Sequence, residues 1–437
     1  MEKQDRKRAI QSITHGDVFV SQTGTGKRLL YEGQTKEFRI FEIPVDYLVL
    51  NVENGRIASL VKSFEVEHST LDPEREEDAK IISDFLYKAH DKANDRTRDD
   101  IAKNGQLEAG IITSDGVIVD GNRRFSLMCS ILADNSGKYK PNQKARCNKF
   151  RTVVLPEDAD DKEILRLETS FQMGADEKVG YNAIEKYLHA RDMKDMDFSV
   201  DDIAEYMGYG KTADVDVLLE VMELIDEYLD WCNCSGIYTR LPSGFEDDLL
   251  KLNTACKKIR RGDIGWIPSD RLEEVENDLK GICFDYIRLN MKSEDDFEFR
   301  TIASTANNNF LLNENVWKKL VEEWQKTTMD IEEEDIDSLR IKAVTLEDTK
   351  RLLDNRDTKW RGKVKDGLKD AYLNAKNIIE NKKEKDRPIS LIRKAASALG
   401  SVDLQVLAAS SSSNKNEINS ILQEIEKNLH SITEVIK

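Results

Sequence analysis

The sequence predicts an α+β fold: a small mixed sheet, then an all-α region with a helix-turn-helix, then a long helical C-terminal region. Three observations predict it. Residues 116–128 pass from a short apolar run through Asp120, Gly121 and Asn122 into helical spacing, with Phe125, Leu127, Met128 and Leu132 on apolar faces. Two more strand-like runs, 107–113 and 150–155, flank that unit. No proline interrupts 270–386, so long helices can form there.

In chain order, residues 1–42 form an extension that opens with a short polar helix and continues with strands at 17–20 and 36–43. Gly24-Thr-Gly-Lys27 has some look of a phosphate-binding loop. Serine at position 21 and Arg28 after the lysine break the Walker spacing, so a hairpin turn is expected. Residues 43–155 form the α/β unit. It has a charged helical stretch over 72–98 carrying Ile81, Ile82, Phe85 and Leu86, and strands at 107–113 and 117–120 that pair. A third strand at 150–155 is ended by Pro156, and 135–148 is polar and exposed. Residues 156–235 are helical. Ser199 is the expected N-cap of one helix with Asp202 near its N3 position, Gly208 and Gly210 frame a turn, and 212–219 is the second helix of the pair. Residues 236–410 are mostly helical, with Trp317, Leu320 and Trp324 on one core-facing side. A Ser-rich linker at 408–415 leads to a tail, within 411–437, whose Ile418, Ile421, Ile425, Leu429, Ile432 and Ile436 form an amphipathic stripe.

At 437 residues the chain is long enough for two to four domains. No run approaches the ~20 apolar residues of a membrane span, and the charged first eight residues do not read as a signal peptide. Six scattered cysteines suggest free thiols in a reducing compartment. The expectation is therefore a cytoplasmic protein without a membrane partner, in which Cys232 and Cys234 are structural thiols. Net charge is −17, and its distribution is uneven: residues 151–250 hold 9 basic and 25 acidic residues, while the segments on either side are nearly neutral. The acidity thus falls on the helix-turn-helix. Asp214, Asp216 and Glu220 stand where a DNA-reading helix presents Arg, Asn or Gln.

The chemistry of the Gly121 turn points to an anion. A strand feeding a helix through glycine directs unpaired N–H groups outward, and the helix dipole adds partial positive charge. Arg123 and Arg124 supply planar guanidinium forks that match phosphate oxygens. They are the expected phosphate clamps, with the backbone of Gly121 and Asn122 cradling an oxygen. Asp120 is read either as a magnesium ligand beside the phosphates or as a turn cap.

Residues 43–229 resemble the ParB/sulfiredoxin-fold family. Ile43-Pro-Val-Asp-Tyr-Leu-Val-Leu-Asn51 with Asn54, Gly55 and Arg56 resembles its opening strand and arginine-bearing loop. Residues 101–113 are similar to the helix, glycine cap and strand before the nucleotide loop. Asp120-Gly-Asn-Arg-Arg124 matches the G-x-R-R signature, 165–172 is similar to the closing segment, and 199–219 to the following helix-turn-helix. The resemblance implies binding of CTP or ATP with magnesium, and a nucleotide-gated switch associated with DNA. It implies roles for Arg56 as a third cation, Gln106 and Glu108 at the base or ribose, and Glu168 and Gln172 at the triphosphate. ParB-like proteins dimerise through their C-termini, which suggests a homodimer through the tail. Two departures stand out. Asn122 replaces both the ParB glutamate and the sulfiredoxin cysteine, and the later ParB signature is only partly kept at Thr169-Ser-Phe-Gln-Met173. Any DNA contact is expected at the basic clusters Lys257, Lys258, Arg260 and Arg261, and Lys359, Arg361, Lys363 and Lys365, rather than at 199–219. Two alternatives remain: an enzyme of the same fold (NTPase, kinase or nuclease), although no histidine lies near the loop, and an interaction scaffold with a vestigial site.

Overall fold

A computed structural model describes residues 1–15, 26–88, 91–173, 183–291, 297–304, 309–343, 346–408 and 412–436. The expected strand at 17–20, and residues 24 and 25 of the expected turn, lie outside the described residues. The chain is mixed α+β with two small sheets and many helices.

Helix α1 (Lys3–His15) precedes a hairpin of β1 (Lys27–Tyr31) and β2 (Gln34–Phe38). Its turn is Glu32-Gly33, both at positive φ, which suits a tight two-residue connection. Lys27 therefore begins a strand rather than ending a turn. The single strand expected over 36–43 is two strands broken at Arg39, because the second half joins another sheet. That second sheet contains β3 (Ile40–Pro44), β4 (Gly110–Ile112), β5 (Ile118–Asp120) and β6 (Lys149–Val154) in the order β3-β6-β4-β5. Only β4 and β6 run parallel; the other neighbours are antiparallel.

Both faces of this sheet are covered, so apolar side chains from its strands are buried on both sides, Ile43 and Phe150 on one and Ile111 and Val153 on the other. One face packs on α2 (Ala58–Glu67), α3 (Glu76–Lys88), α4 (Asp91–Asn104) and α5 (Asn122–Ala133), with Ile43, Ile57, Ile82, Ile112, Ile118, Met128 and Phe150 in the core. The other face packs on the hairpin and, beyond α6 (Pro141–Ala145), on α7 (Asp161–Met173), through Leu29, Tyr31, Ile111, Val119, Val153 and Leu167. Each such side chain contributes about 1.5–3 kcal/mol by leaving water. The stretch expected as one helix over 72–98 is two, α3 and α4. The stretch expected as exposed over 135–148 buries Tyr139 and Cys147 against the core.

Helix α8 (Ala183–Asp195) leads to α9 (Val200–Tyr206) and α10 (Thr212–Trp231). Ser199 caps α9: its Oγ accepts from the Asp202 N–H, and Asp202 accepts from the Ser199 N–H. Helix α10 runs well past 219 because Val221, Met222, Leu224, Ile225, Tyr228 and Leu229 extend its buried stripe. Then come α11 (Phe245–Arg260), α12 (Leu272–Leu289), α13 (Arg300–Ala303), α14 (Glu314–Thr328), α15 (Ile336–Lys342), α16 (Leu346–Gly400), α17 (Leu404–Ala408) and α18 (Ser412–Ile436). Trp317, Leu320 and Trp324 are buried as expected. The indole N–H groups of Trp231 and Trp324 both donate to Asp285, at 2.8 and 2.7 Å.

The chain divides into two compact units, Met1–Tyr372 and Leu373–Lys437. In the second, residues 412–415 of the expected linker are helical and belong to α18, while 409–411 lie outside the described residues. Ile421, Leu422, Leu429 and Ile432 of α18 are exposed. Among the described residues no helix is long and apolar enough to cross a membrane.

Candidate functional site

The transition from β5 to α5 is made by Gly121, at a φ of 106°. This left-handed conformation favours glycine. A Cβ there would also lie 2.8 Å from the Phe150 ring and 3.4 Å from a guanidinium nitrogen of Arg124. Helix α5 starts with no side-chain cap and no acidic residue in its first turn. By contrast α3, α11 and α12 begin with two or three acids each. The start of α5 is therefore electropositive by backbone and by side chain.

Three cations stand around this start. Arg124 lies across the turn: Nη2 donates to Asp120 Oδ2 at 3.0 Å, and Nη1 to Glu108 Oε2 at 3.2 Å and the Glu108 carbonyl at 3.1 Å. Lys27 comes from β1. Its ammonium donates to the Ala109 carbonyl at 2.7 Å, lies 3.5 Å from the same Asp120 oxygen, and sits 4.4 Å from the centre of the Phe171 ring. Burial, and the Arg124 charge, hold the Lys27 ammonium below its usual pKa although Asp120 opposes the shift. Arg123 points the other way, donating to Asn94 Oδ1 at 2.5 Å and Thr97 Oγ1 at 3.3 Å on α4. The two arginines thus diverge, and the cation that shares the Asp120 oxygen with Arg124 is Lys27. In the sequence Lys27 closes the Gly24-Thr-Gly-Lys27 run that reads as a hairpin turn, and nothing there assigns it to this site. Its signal was that Lys27, Leu29 and Tyr31 share one face of a strand whose other two members are fully buried.

The remaining expected residues divide sharply. Asp120 and Glu108 hold Arg124. A divalent metal at Asp120 Oδ2 would face two cations, so this carboxylate suits an arginine–lysine clamp better than magnesium. Among the described residues no group of three or more His, Cys, Asp or Glu side chains is arranged to hold a metal. Gln106 is buried with its amide committed inside the fold: Oε1 accepts from Arg151 N, and Nε2 donates to the Glu108 and Arg151 carbonyls. Asn122 is also buried. Its Oδ1 accepts from Asn51 N at 2.9 Å and its Nδ2 donates to the Ile118 carbonyl at 2.8 Å.

Glu168 is 3% exposed and is spent on the loop before α2. It accepts from Asn54 Nδ2 at 2.9 Å, Gly55 N at 3.1 Å and Asn51 Nδ2 at 3.5 Å. Its carboxylate does for that loop what a ligand anion would do. Arg56 sits in this loop, half-buried. The side chain of Gln172 lies outside the described residues. One turn further, Glu185 of α8 caps α2, accepting from Ser59 N at 3.1 Å and Ser59 Oγ at 2.5 Å. The outcome is a chain of direct contacts: the first residue of α5 holds Asn51, Asn51 and its loop hold α7 through Glu168, and the same loop runs into α2, which holds α8 through Glu185.

The basic clusters differ from each other. Lys257 pairs with Glu220 at 2.6 Å and Arg260 grips Glu276 with two nitrogens, so this cluster neutralises its own neighbours. Lys359, Arg361, Lys363 and Lys365 of α16 are exposed around the buried Trp360. The first turn of α10 exposes Thr212, Asp214 and Asp216. The chain matches no family model, no curated protein and no solved structure.

Proposed function

We propose that this chain binds a nucleoside triphosphate of the CTP or ATP class at the Gly121 turn and acts as a nucleotide-gated, DNA-associated switch. The observation that carries the reading is the uncapped start of α5, with Arg124 and Lys27 converging on one oxygen of Asp120. In the free protein Asp120 stands in for the phosphate. On binding, an oxyanion takes the Arg124–Lys27 pair together with the backbone N–H groups of the first turn. The resemblance of Gly121-Asn-Arg-Arg124 to the ParB signature supports the same ligand. The gate follows from the contact chain: a shift at the start of α5 reaches Asn51 through Asn122, then α7 and α8 through Glu168 and Glu185. DNA contact is assigned to Lys359, Arg361, Lys363 and Lys365, because the acidic opening of α10 repels a phosphate backbone. The exposed stripe of α18 is assigned to a homodimer.

Asp120→Asn tests the site. It removes the internal competitor and is expected to tighten nucleotide binding about tenfold, read by calorimetry. If Asp120 instead serves magnesium, the same variant will weaken binding in magnesium and leave binding without magnesium unchanged. The tail is tested by sedimentation. The full chain is expected to sediment as a dimer and Leu429→Glu as a monomer; a monomeric full chain would remove the dimer from the account. A second reading, an interaction scaffold, is favoured by the acidity concentrated in 151–250.

A further inference from the structure

Lys27 differs from the arginines around the Gly121 turn in one respect: an amine can act as a nucleophile and a guanidinium does not. It opens β1, whose Leu29 and Tyr31 are buried on the same side, so the strand fixes where the amine sits. The ammonium lies 4.4 Å from the centre of the Phe171 ring, donates to the Ala109 carbonyl at 2.7 Å and stands 3.5 Å from Asp120 Oδ2. Arg124 Nη2 reaches the same oxygen at 3.0 Å. One small anion taking the place of that carboxylate therefore touches both the guanidinium and the amine. All three side chains are reachable from solvent: those of Lys27, Arg124 and Asp120 are 20, 21 and 23% exposed.

Two features make this amine reactive. Burial, with the Arg124 charge, holds its pKa below the ordinary lysine value although Asp120 opposes the shift, so more of it is unprotonated at neutral pH. The Arg124 guanidinium and the uncapped start of α5 draw a phosphate to within reach of the nitrogen. A reagent that joins a phosphate to an electrophilic carbon is then held by its phosphate with the carbon beside the amine. Such positioning replaces a chance encounter by a contact within one complex. Acyl phosphates are small molecules of that kind, in which the phosphate is both the bound group and the leaving group.

We propose that Lys27 is an acylation site, modified by an acyl phosphate that binds at the Gly121 turn, and that acylation closes the turn to nucleotides. The Lys27 nitrogen attacks the acyl carbon with its lone pair. An N–C bond forms, the bond from that carbon to the phosphate oxygen breaks, and phosphate leaves with the electron pair. The proton shed by the nitrogen passes to Asp120 Oδ2, which the phosphate has freed from Arg124, and from there to the departing phosphate. The product is a neutral amide. It leaves Arg124 as the single cation at the Asp120 oxygen, so a polyphosphate is held less tightly. This inference rests on the anion site proposed above and adds to it a covalent chemistry and a means of regulation.

The test incubates the full chain with acetyl phosphate at neutral pH and locates the modified lysines by peptide mass spectrometry. Lys27 is expected to react at least about tenfold faster than Lys36 on the other strand of the hairpin, although the Lys36 side chain is the more exposed at 42%. Inorganic phosphate is expected to slow Lys27 and not Lys36, and Arg124→Ala to abolish the preference with its melting curve unchanged. The N-hydroxysuccinimide ester of acetate, which has no phosphate, is expected to show no preference for Lys27; equal preference with both reagents overturns delivery by phosphate. Lys27→Gln, with a neutral amide in place of the ammonium, is expected to bind nucleotide about tenfold more weakly than the parent chain; equal binding overturns the closing of the turn. Lys27 reacting no faster than Lys36, or a preference that survives both inorganic phosphate and Arg124→Ala, overturns the acylation. A parent chain that binds nucleotide while Lys27 stays unmodified refutes this inference and leaves the nucleotide site standing. Selective, phosphate-sensitive acetylation in a chain that binds no nucleotide does the reverse: the acylation stands and the nucleotide reading falls.

Discussion

Glu185→Gln will gain stability relative to the parent chain as pH rises, by about 3 kcal/mol between roughly pH 4 and pH 8. Burial lifts the Glu185 carboxyl to about 7, although its two hydrogen bonds from Ser59 act the other way; Asp192 raises it further and Lys62 lowers it. A carboxyl raised above its unfolded value favours the protonated fold. Its contribution is complete below the ordinary glutamate range and is lost as pH rises through about 7. Glutamine mimics the protonated form and does not titrate, so the variant escapes that loss. His189, one turn along α8, is held down to about 4 by burial and works in the opposite sense. It is present in both proteins and cancels in the comparison. Urea midpoints of the two proteins across this pH range measure the effect; a constant difference would show that Glu185 is not desolvated between α2 and α8.

Arg288→Met will destabilise the first unit by about 3–5 kcal/mol, the cost of leaving a buried charge without its partner. Arg288 is 5% exposed and joins Glu333 and Asp357, each at 2.7 Å, with its guanidinium 4.2 Å from the centre of the Trp360 ring. Asp357 also accepts from Arg240 and Arg356, so it keeps compensation, whereas Glu333 is left with Arg356 at 3.7 Å. Adding Glu333→Gln to the variant should therefore return part of the loss, a result that a pure packing defect would not give. Chemical denaturation of the single and double variants distinguishes the two.

How far the sequence could be read depended on the range of the interaction. The glycine turn between β5 and α5, the Ser199–Asp202 cap and the buried Trp317–Trp324 face were legible because each is written within eight residues. The polar interior was not. Glu168 meets Asn54 across 114 positions and Lys27 meets Asp120 across 93, and no local pattern announces either pair. Gln106, Asn122 and Glu168 have residue types suited to a ligand, and a sequence alone does not reveal that the fold consumes them. Glu185 left a trace, a carboxylate beside Ile184 and four residues before His189 on a helix whose neighbours Tyr187 and Leu188 are fully buried. The acidity of α10 was legible from the start, and so was its conflict with DNA reading.

The central claim is that Arg124 and Lys27 close on a nucleotide phosphate at the Gly121 turn. Calorimetric titration of CTP, ATP and GTP with magnesium into the full chain and into Arg124→Ala tests it most directly. The account predicts saturable binding of at least one nucleotide to the parent chain, weakened at least about tenfold in Arg124→Ala with its melting curve intact. No binding of any of the three, or equal binding to both proteins, would contradict it.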